Sequence, residues 1–356
     1  MENFLTLQQL LQLVVEKKAT DLHLTVNLPP QLRINGELVL TDLPILTGEE
    51  IQKLAYSILS ENQIKRFEQE KELDTSYGVS GLGRFRVNLY YQRGSIACAI
   101  RFIPYEIPSL ESLGLPEIVK KFASYRAGLI LVTGAVGSGK STTLAGMIEY
   151  INSFRRCHII TIEDPIEYLH KHRMATIDQR EVGRDTLSFS HALKYVFRQD
   201  PDVVMIGEMR DLETMRTALT LAETGHLILA TLHTMDATHA ITRIIDVFPP
   251  YQQEQIRVQL SLVLIGVIVQ QLIPRLDGKG RVLATEIMKV TPAISNLIRE
   301  NQLQQIYSLI QTGKSEGMMT MNQSLLELYK KKLISMEEAL RRSPNPKELM
   351  NLLEKK

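Results

Sequence analysis

The feature that most restricts the fold is a strand, a glycine-rich loop and a helix in immediate succession. They are "LILVT" (residues 129–133), "GAVGSGKS" (residues 134–141) and the helical pattern "TTLAGMIEYINS". The loop matches GxxxxGK[ST] in the strand-to-helix setting that the motif requires. There, glycines let backbone N–H groups curl around a β-phosphate, and the helix N-terminus adds positive potential. Lys140 reaches the β/γ-phosphates and the Ser141 hydroxyl can ligate Mg²⁺. A chance glycine turn would lack both flanking elements. The predicted nucleotide-binding set is Gly134, Ala135, Val136, Gly137, Ser138, Gly139, Lys140, Ser141 and Thr142.

Around this loop, apolar runs alternate with helical stretches. "LILVTG", "HIITIED", "DVVMIGE" and "HLILATLHT" are separated by segments such as "SFSHALKYVFRQ" and "LETMRTALTLAE". That is the grammar of an α/β fold, a parallel sheet covered on both faces. Ligands bind such sheets at the carboxyl ends of the strands. Those ends carry Glu163 and Asp164, Glu208 and Arg210, and His233. One such carboxylate alone is usually a solvated loop residue or a helix cap. Several polar strand ends beside a P-loop point to hydrolysis, which needs a metal ligand, a group that orients water and positive charge on the γ-phosphate. The stretch "DVVMIGEMRD" offers Gly207 and a single Glu208 where an acidic pair would normally end the strand. The residues alone leave open which carboxylate holds the metal and which activates the water.

A chain of 356 residues suits two domains with a helical appendage. A formal charge of +1 singles out neither nucleic acid nor an acidic membrane as partner. Cys98 and Cys157 lie far apart with no CxxC, which excludes a four-cysteine zinc site and a disulfide framework and fits a reducing cytoplasm. The start "MENFLTLQQLLQLVVEKK" lacks the marks of a signal peptide and reads as an amphipathic helix from Leu5 to Lys17. The most apolar run, Leu260 to Val269, ends at Gln270-Gln271. It falls far short of the roughly 20 residues of a membrane span and reads as a buried helix.

Residues 1–100 read as an antiparallel sheet with helices. "DLHLTV" and "QLRINGELVL" supply short strands, with Asn35-Gly36 as a type I′ hairpin signal. Thr47 and Glu50 form a capping box for a helix through Leu59, and three alternating runs follow in "LDTSYGV", "RFRVNLYY" and "SIACAIRFI". Pro104, Pro108 and Pro116 mark a semi-rigid linker over 101–115. The α/β core then spans 116–290, and 291–356 is helical. In "GRFRVNLYYQ", Phe85, Val87 and Leu89 share one face, and Arg84, Arg86 and Asn88 the other. Pairing with the next strand could bring Arg101 beside Arg86. A solvated arginine face explains that pattern as well as a phosphate-directed pair does.

Nearly the whole chain resembles the secretion and pilus motor ATPases, and within them the type IV pilus retraction ATPases. The motifs that carry the likeness run in order: "TDLHL", "GRFRVN", "GSGKSTTLA", "TIEDPIEY", "QREVGRDT", "DPDVVMIGEMRDLET", "AETGHLILATLHT", "TPAISNLIRE" and "GMMTMNQSL". The resemblance implies a PAS-like α+β N-terminal domain, a RecA-like P-loop NTPase core and a C-terminal helical region, assembled as a homohexamer. It implies that Glu163 is the general base and that Glu208 binds Mg²⁺ directly or through water, with Ser141. His226 and His233 would sense or position the γ-phosphate, and Arg86 and Arg101 would act on a nucleotide bound by the adjacent subunit. The implied cofactors are ATP/ADP and Mg²⁺. The implied partners are an inner-membrane pilus platform protein and a paralogous retraction ATPase, at a cytoplasmic site peripheral to the inner membrane at the pilus base.

The chain departs from the family pattern in three places. Ala135-Val136 replace the usual Pro-Thr of the loop, at positions that contribute backbone rather than side chains. Ser295 replaces an arginine in "AISNLIRE", an element tied to retraction rather than to turnover. "QQLIPRLDGKGR" and "YQRG" resemble accessory retraction ATPases, which makes that role the alternative. The tetracysteine motif of extension ATPases is absent from the sequence. RecA-like cores also drive nucleic-acid translocases, but the balanced charge and the lack of a recognised DNA-binding module argue against a nucleic-acid partner.

Overall fold

The computed structural model describes residues 5–34, 36–103 and 105–354. It comprises two compact units, Met1–Glu106 with Pro165–Leu169, and Ile107–Asp164 with His170–Lys356.

The first unit opens with α1 (Leu7–Glu16), started by a capping box between Thr6 and Gln9 and burying Leu7, Leu10, Leu11 and Val14 at helical spacing. β1 (Asp21–Leu24), β2 (Gln31–Ile34) and β3 (Glu37–Leu40) follow, then α2 (Gly48–Tyr56) and α3 (Glu61–Glu70), then β4 (Glu72–Val79), β5 (Gly83–Gln92) and β6 (Ser95–Ile103). The strands form one antiparallel sheet in the order β3-β2-β1-β6-β5-β4. The predicted Thr47–Glu50 capping box is present at the start of α2. The hairpin between β2 and β3 has Gly36 at φ 92°; Asn35, the other predicted turn residue, lies outside the described residues. α3 had no counterpart in the sequence reading, because Phe67 is its single buried side chain and its apolar signal is correspondingly weak. β6 continues to Ile103, so Arg101 is a strand residue and not part of a linker. Pro104 lies outside the described residues.

The second unit is built on α4 (Ile118–Ala123), β7 (Gly128–Thr133), α5 (Lys140–Phe154), β8 (His158–Glu163), β9 (Thr176–Glu181), α6 (Phe189–Val196), β10 (Val203–Ile206), α7 (Leu212–Glu223) and β11 (Leu227–Leu232). α8 (Ala237–Asp246), α9 (Pro250–Val263), β12 (Leu264–Pro274) and β13 (Arg281–Lys289) complete the sheet region. Then come α10 (Pro292–Arg299), α11 (Ile306–Thr312), α12 (Met321–Lys330), α13 (Met336–Arg342) and α14 (Pro346–Glu354). The sheet order is β13-β12-β7-β11-β10-β8-β9, parallel except for the antiparallel edge strand β13. Alternate residues of its central strands feed two cores: Leu129 and Leu131 face one, Ile130 and Val132 the other. Leu110 and Leu115, expected in a linker, are buried in the second of these cores.

One expectation is corrected here. The apolar run at 260–269 is not a single buried helix. α9 ends at Val263 and β12 begins at Leu264, with Leu264 to Gln270 buried in the sheet beside β7. A central parallel strand is apolar on both faces, so periodicity could not distinguish it from a helix. The β-branched cluster Ile265, Val267, Ile268 and Val269 is the signal that favours the strand. In α10, Ser295 donates to the Ser261 carbonyl at 2.7 Å and so ties α10 to α9.

Glu286, buried in β13, accepts a hydrogen bond from the Ala237 N–H at 2.9 Å, at the start of α8, and another from the Met321 N–H, at the start of α12. Burial pushes its carboxyl up to about 7, against the pull of those two donors. Between its ordinary value and about 7, the folded chain therefore retains a proton that the unfolded chain has lost. This contribution to stability is complete at low pH and is lost as pH rises through that window. Glu286→Gln keeps an acceptor and removes the titration. Relative to the parent, the variant should gain up to ~3 kcal/mol between pH 5 and pH 8, read by urea denaturation at both values.

Candidate active site

The parallel topology carries β7, β11, β10 and β8 to one edge in consecutive order, about 4.8 Å apart. At the end of β7 the chain turns through Gly134 at φ 140°. A Cβ there would lie 2.4 Å from the Gln270 carbonyl oxygen and 2.8 Å from Ser138 Oγ, so only glycine fits. Lys140, at the start of α5, donates from Nζ to the carbonyls of Gly134 at 2.8 Å and Ala135 at 3.0 Å. Ser141 sits in the first turn of α5 and is exposed. Val136 is 87% exposed, in keeping with a position that contributes only backbone.

The loop after β11 is tied to this strand. Thr133 Oγ1 donates to the Thr234 carbonyl at 2.7 Å and accepts from the Thr234 N–H at 2.8 Å. His233, beside Thr234, has Nδ1 3.4 Å from Lys140 Nζ and Nε2 3.2 Å from Glu208 Oε1. An ammonium can only donate, so Nδ1 accepts and Nε2 carries the hydrogen directed at the carboxylate. Arg210 completes the row, with Nε 2.6 Å from Glu208 Oε1 and Nη2 2.7 Å from Oε2. Burial alone would raise the Glu208 carboxyl, but the Arg210 guanidinium and His233 outweigh it and hold the group below its ordinary value.

The position before Glu208 is closely packed. The Gly207 N–H donates to the Ile162 carbonyl at 2.8 Å. A Cβ on Gly207 would lie 3.2 Å from that oxygen and 3.4 Å from Glu163 Cα. A side chain there would need the ends of β10 and β8 to give by a few tenths of an ångström. The second carboxylate is supplied by β8 itself. Glu163 is buried, and its Oε1 accepts from Thr161 Oγ1 at 2.7 Å and from Gln179 Nε2 at 3.1 Å.

Not every predicted residue is gathered here. His226 precedes β11, at the opposite end of a six-residue strand from His233, roughly 20 Å away. Its Nδ1 lies 2.9 Å from the Leu221 carbonyl and 3.1 Å from Thr224 Oγ1, at the C-terminus of α7. Within this chain His226 is therefore not gathered with Lys140, His233 and Glu208. In the first unit, Arg86 and Arg101 are direct cross-strand partners on β5 and β6. Each is held by carboxylates of that same unit: Arg86 by Asp74 and, at 3.7 Å, Glu167, and Arg101 by Asp21 at 2.9 Å.

Residues near the site that sequence reasoning did not single out are Thr161, Gln179, Thr133 and Gln270. Gln270 Nε2 donates to Thr143 Oγ1 at 2.7 Å, and its Oε1 is buried without a partner, as is Ser138 Oγ in the loop. An orphaned hydroxyl in a glycine-rich loop that presents N–H groups and a lysine suits a phosphate-bearing ligand. Mg²⁺ takes one or two side-chain oxygens plus phosphates and water, and the Ser141 hydroxyl and Glu208 carboxylate are donors of that class.

Comparison with known proteins agrees with this geometry. Residues 6–341 match the family model described as "Type II/IV secretion system protein". The chain is 47% identical over 338 residues to the "Type IV pilus retractation ATPase PilT" of Pseudomonas aeruginosa, covering 95% of this chain and 98% of that one. It is 43% identical to the "Type IV pilus ATPase PilU" of the same organism, covering 96% and 90%. The crystal structure of the pilus retraction motor PilT with bound ADP superposes with a TM-score of 0.90 at 52% identity, covering 98% of this chain and 99% of that one. The ATPase DotB of Legionella pneumophila superposes with a TM-score of 0.80 at 25% identity, covering 95% and 96%. The second unit is thus a RecA-like P-loop core with a C-terminal helical region, and the first is the PAS-like α+β domain. The chain belongs to the Type II/IV secretion system protein family.

Proposed function

We propose that the chain is a motor ATPase that hydrolyses ATP to drive type IV pilus retraction, working as a homohexamer on the cytoplasmic side of the inner membrane. The observation that carries this reading is the convergence of Lys140, His233, Glu208 and Glu163 on one edge of the parallel sheet, in a chain 47% identical to PilT along nearly its whole length. Identity to PilU is lower, at 43%, so the principal retraction role is preferred to the accessory one.

In this reading the loop amides and Lys140 bind the β/γ-phosphates, and Lys140 exchanges its contacts with the Gly134 and Ala135 carbonyls for phosphate oxygens. Ser141 and Glu208 would hold Mg²⁺ from the protein side, and the ion would supply further positive charge against the phosphates. His233 orients the Glu208 carboxylate and reports its position to Lys140. Glu163 takes the proton of the attacking water. Arg86 and Arg101 serve the nucleotide of an adjacent subunit, which requires Arg86 to release Asp74 and Arg101 to release Asp21. Mutual engagement of that kind would let nucleotide state bias the docking of one subunit on the next. The platform protein at the pilus base is the partner on which such movement would act.

The purified chain should release phosphate from ATP in a Mg²⁺-dependent reaction. Deletion of its gene should leave pili in place and stop twitching motility. Unchanged twitching in the deletion strain would refute the retraction role.

A further inference from the structure

Between Glu163 and β9 the chain makes an excursion. It leaves the second unit after Asp164, contributes Pro165–Leu169 to the first unit and returns at His170. Within the first unit that segment is gripped: Arg84 donates from Nε to the Ile166 carbonyl at 2.8 Å, and Arg86 lies 3.7 Å from Glu167. A carboxylate at the root of such an excursion needs its own anchor if it is to keep its position to within a fraction of an ångström.

Gln179 has the geometry of that anchor. It lies on β9, directly across from Thr161 on β8. Its Nε2 donates to Glu163 Oε1 at 3.1 Å, while its Oε1 accepts from the His170 N–H at 2.8 Å. One amide thus joins the residue before the excursion to the residue after it. Thr161 Oγ1 adds a second donor to the same carboxylate oxygen at 2.7 Å. The His170 ring is buried, with Nδ1 3.5 Å from Glu149.

We propose that Gln179 is a positioning residue for ATP hydrolysis, holding the Glu163 carboxylate in place while the 165–169 segment belongs to the other unit. The proposal rests on the assignment of Glu163 as the base.

The test compares single-turnover hydrolysis by the full-length oligomer for the parent, Gln179→Leu, Gln179→Glu, Thr161→Val and Glu163→Gln. Gln179→Leu removes both hydrogen bonds. Gln179→Glu keeps the acceptor for His170 and removes the donor to Glu163. Both should lower kcat by about tenfold or more, with KM for ATP and affinity for ADP within about twofold of the parent. Thr161→Val should lower kcat in the same way. If Glu163→Gln is inactive while both Gln179 variants match the parent in rate, the base assignment stands and the Gln179 proposal falls. Loss of rate with a parallel loss of ADP affinity would also overturn it, as a purely structural effect. If Glu163→Gln hydrolyses at the parental rate, the base assignment itself fails.

Discussion

Glu163→Gln should lower single-turnover ATP hydrolysis by about 10²- to 10⁴-fold, the range that a positioned general base contributes. The substitution is nearly isosteric and keeps an oxygen that can accept from Thr161 Oγ1 and Gln179 Nε2, so the end of β8 retains its geometry. What it removes is the negative charge and the basicity that take the water proton. ADP affinity should stay within about twofold of the parent, because uniform binding of nucleotide depends on the P-loop and not on β8. Rapid-quench measurement of the first turnover, with ADP binding by calorimetry, separates these two quantities. A parental rate would remove Glu163 from the chemistry.

Gly134→Ala should abolish nucleotide binding, although the residue brings no side chain to the site. The backbone there is at φ 140°, which an alanine rarely adopts, and its Cβ would sit 2.4 Å from the Gln270 carbonyl oxygen. Backbone and overlap together should cost about 3 kcal/mol of stability. Relief requires β7 and β12 to separate, or the loop to swing away from the Lys140 ammonium. Either movement displaces the N–H groups that would receive phosphate. Fluorescent ADP titration and thermal denaturation check the two parts of the prediction. Val136→Thr is the matched control: that side chain is 87% exposed, and its replacement should leave both measurements unchanged.

How far this site could be read in advance depends on how local each part is. The P-loop is contiguous, with glycines required by its own backbone, so a short window of sequence was sufficient for it. The strand-end residues Glu163, Glu208 and His233 followed from the rule that parallel sheets bind at their carboxyl ends. His226 shows the boundary of that reasoning. It belongs to the same motif as His233, yet it stands at the other end of β11 and caps α7. β9 carries little strand signal, because "TIDQRE" is half-buried and polar, although Gln179 opens the motif "QREVGRDT". The register that sets Gln179 opposite Thr161 is a long-range pairing with no local signature. The crowding at Gly207 is likewise a contact between β10 and β8, invisible until the strand order is known.

The central claim is a division of labour between two strands, with the metal side of the site on Glu208 and the water side on Glu163. Phosphate release measured across a Mg²⁺ titration, for the parent, Glu208→Gln and Glu163→Gln, addresses it in one series. The account predicts that Glu208→Gln shifts the half-maximal Mg²⁺ concentration upward by about tenfold, as loss of one charged ligand should. Glu163→Gln should depress the plateau with the midpoint unmoved. An unshifted midpoint in Glu208→Gln, or a shifted one in Glu163→Gln, would contradict it.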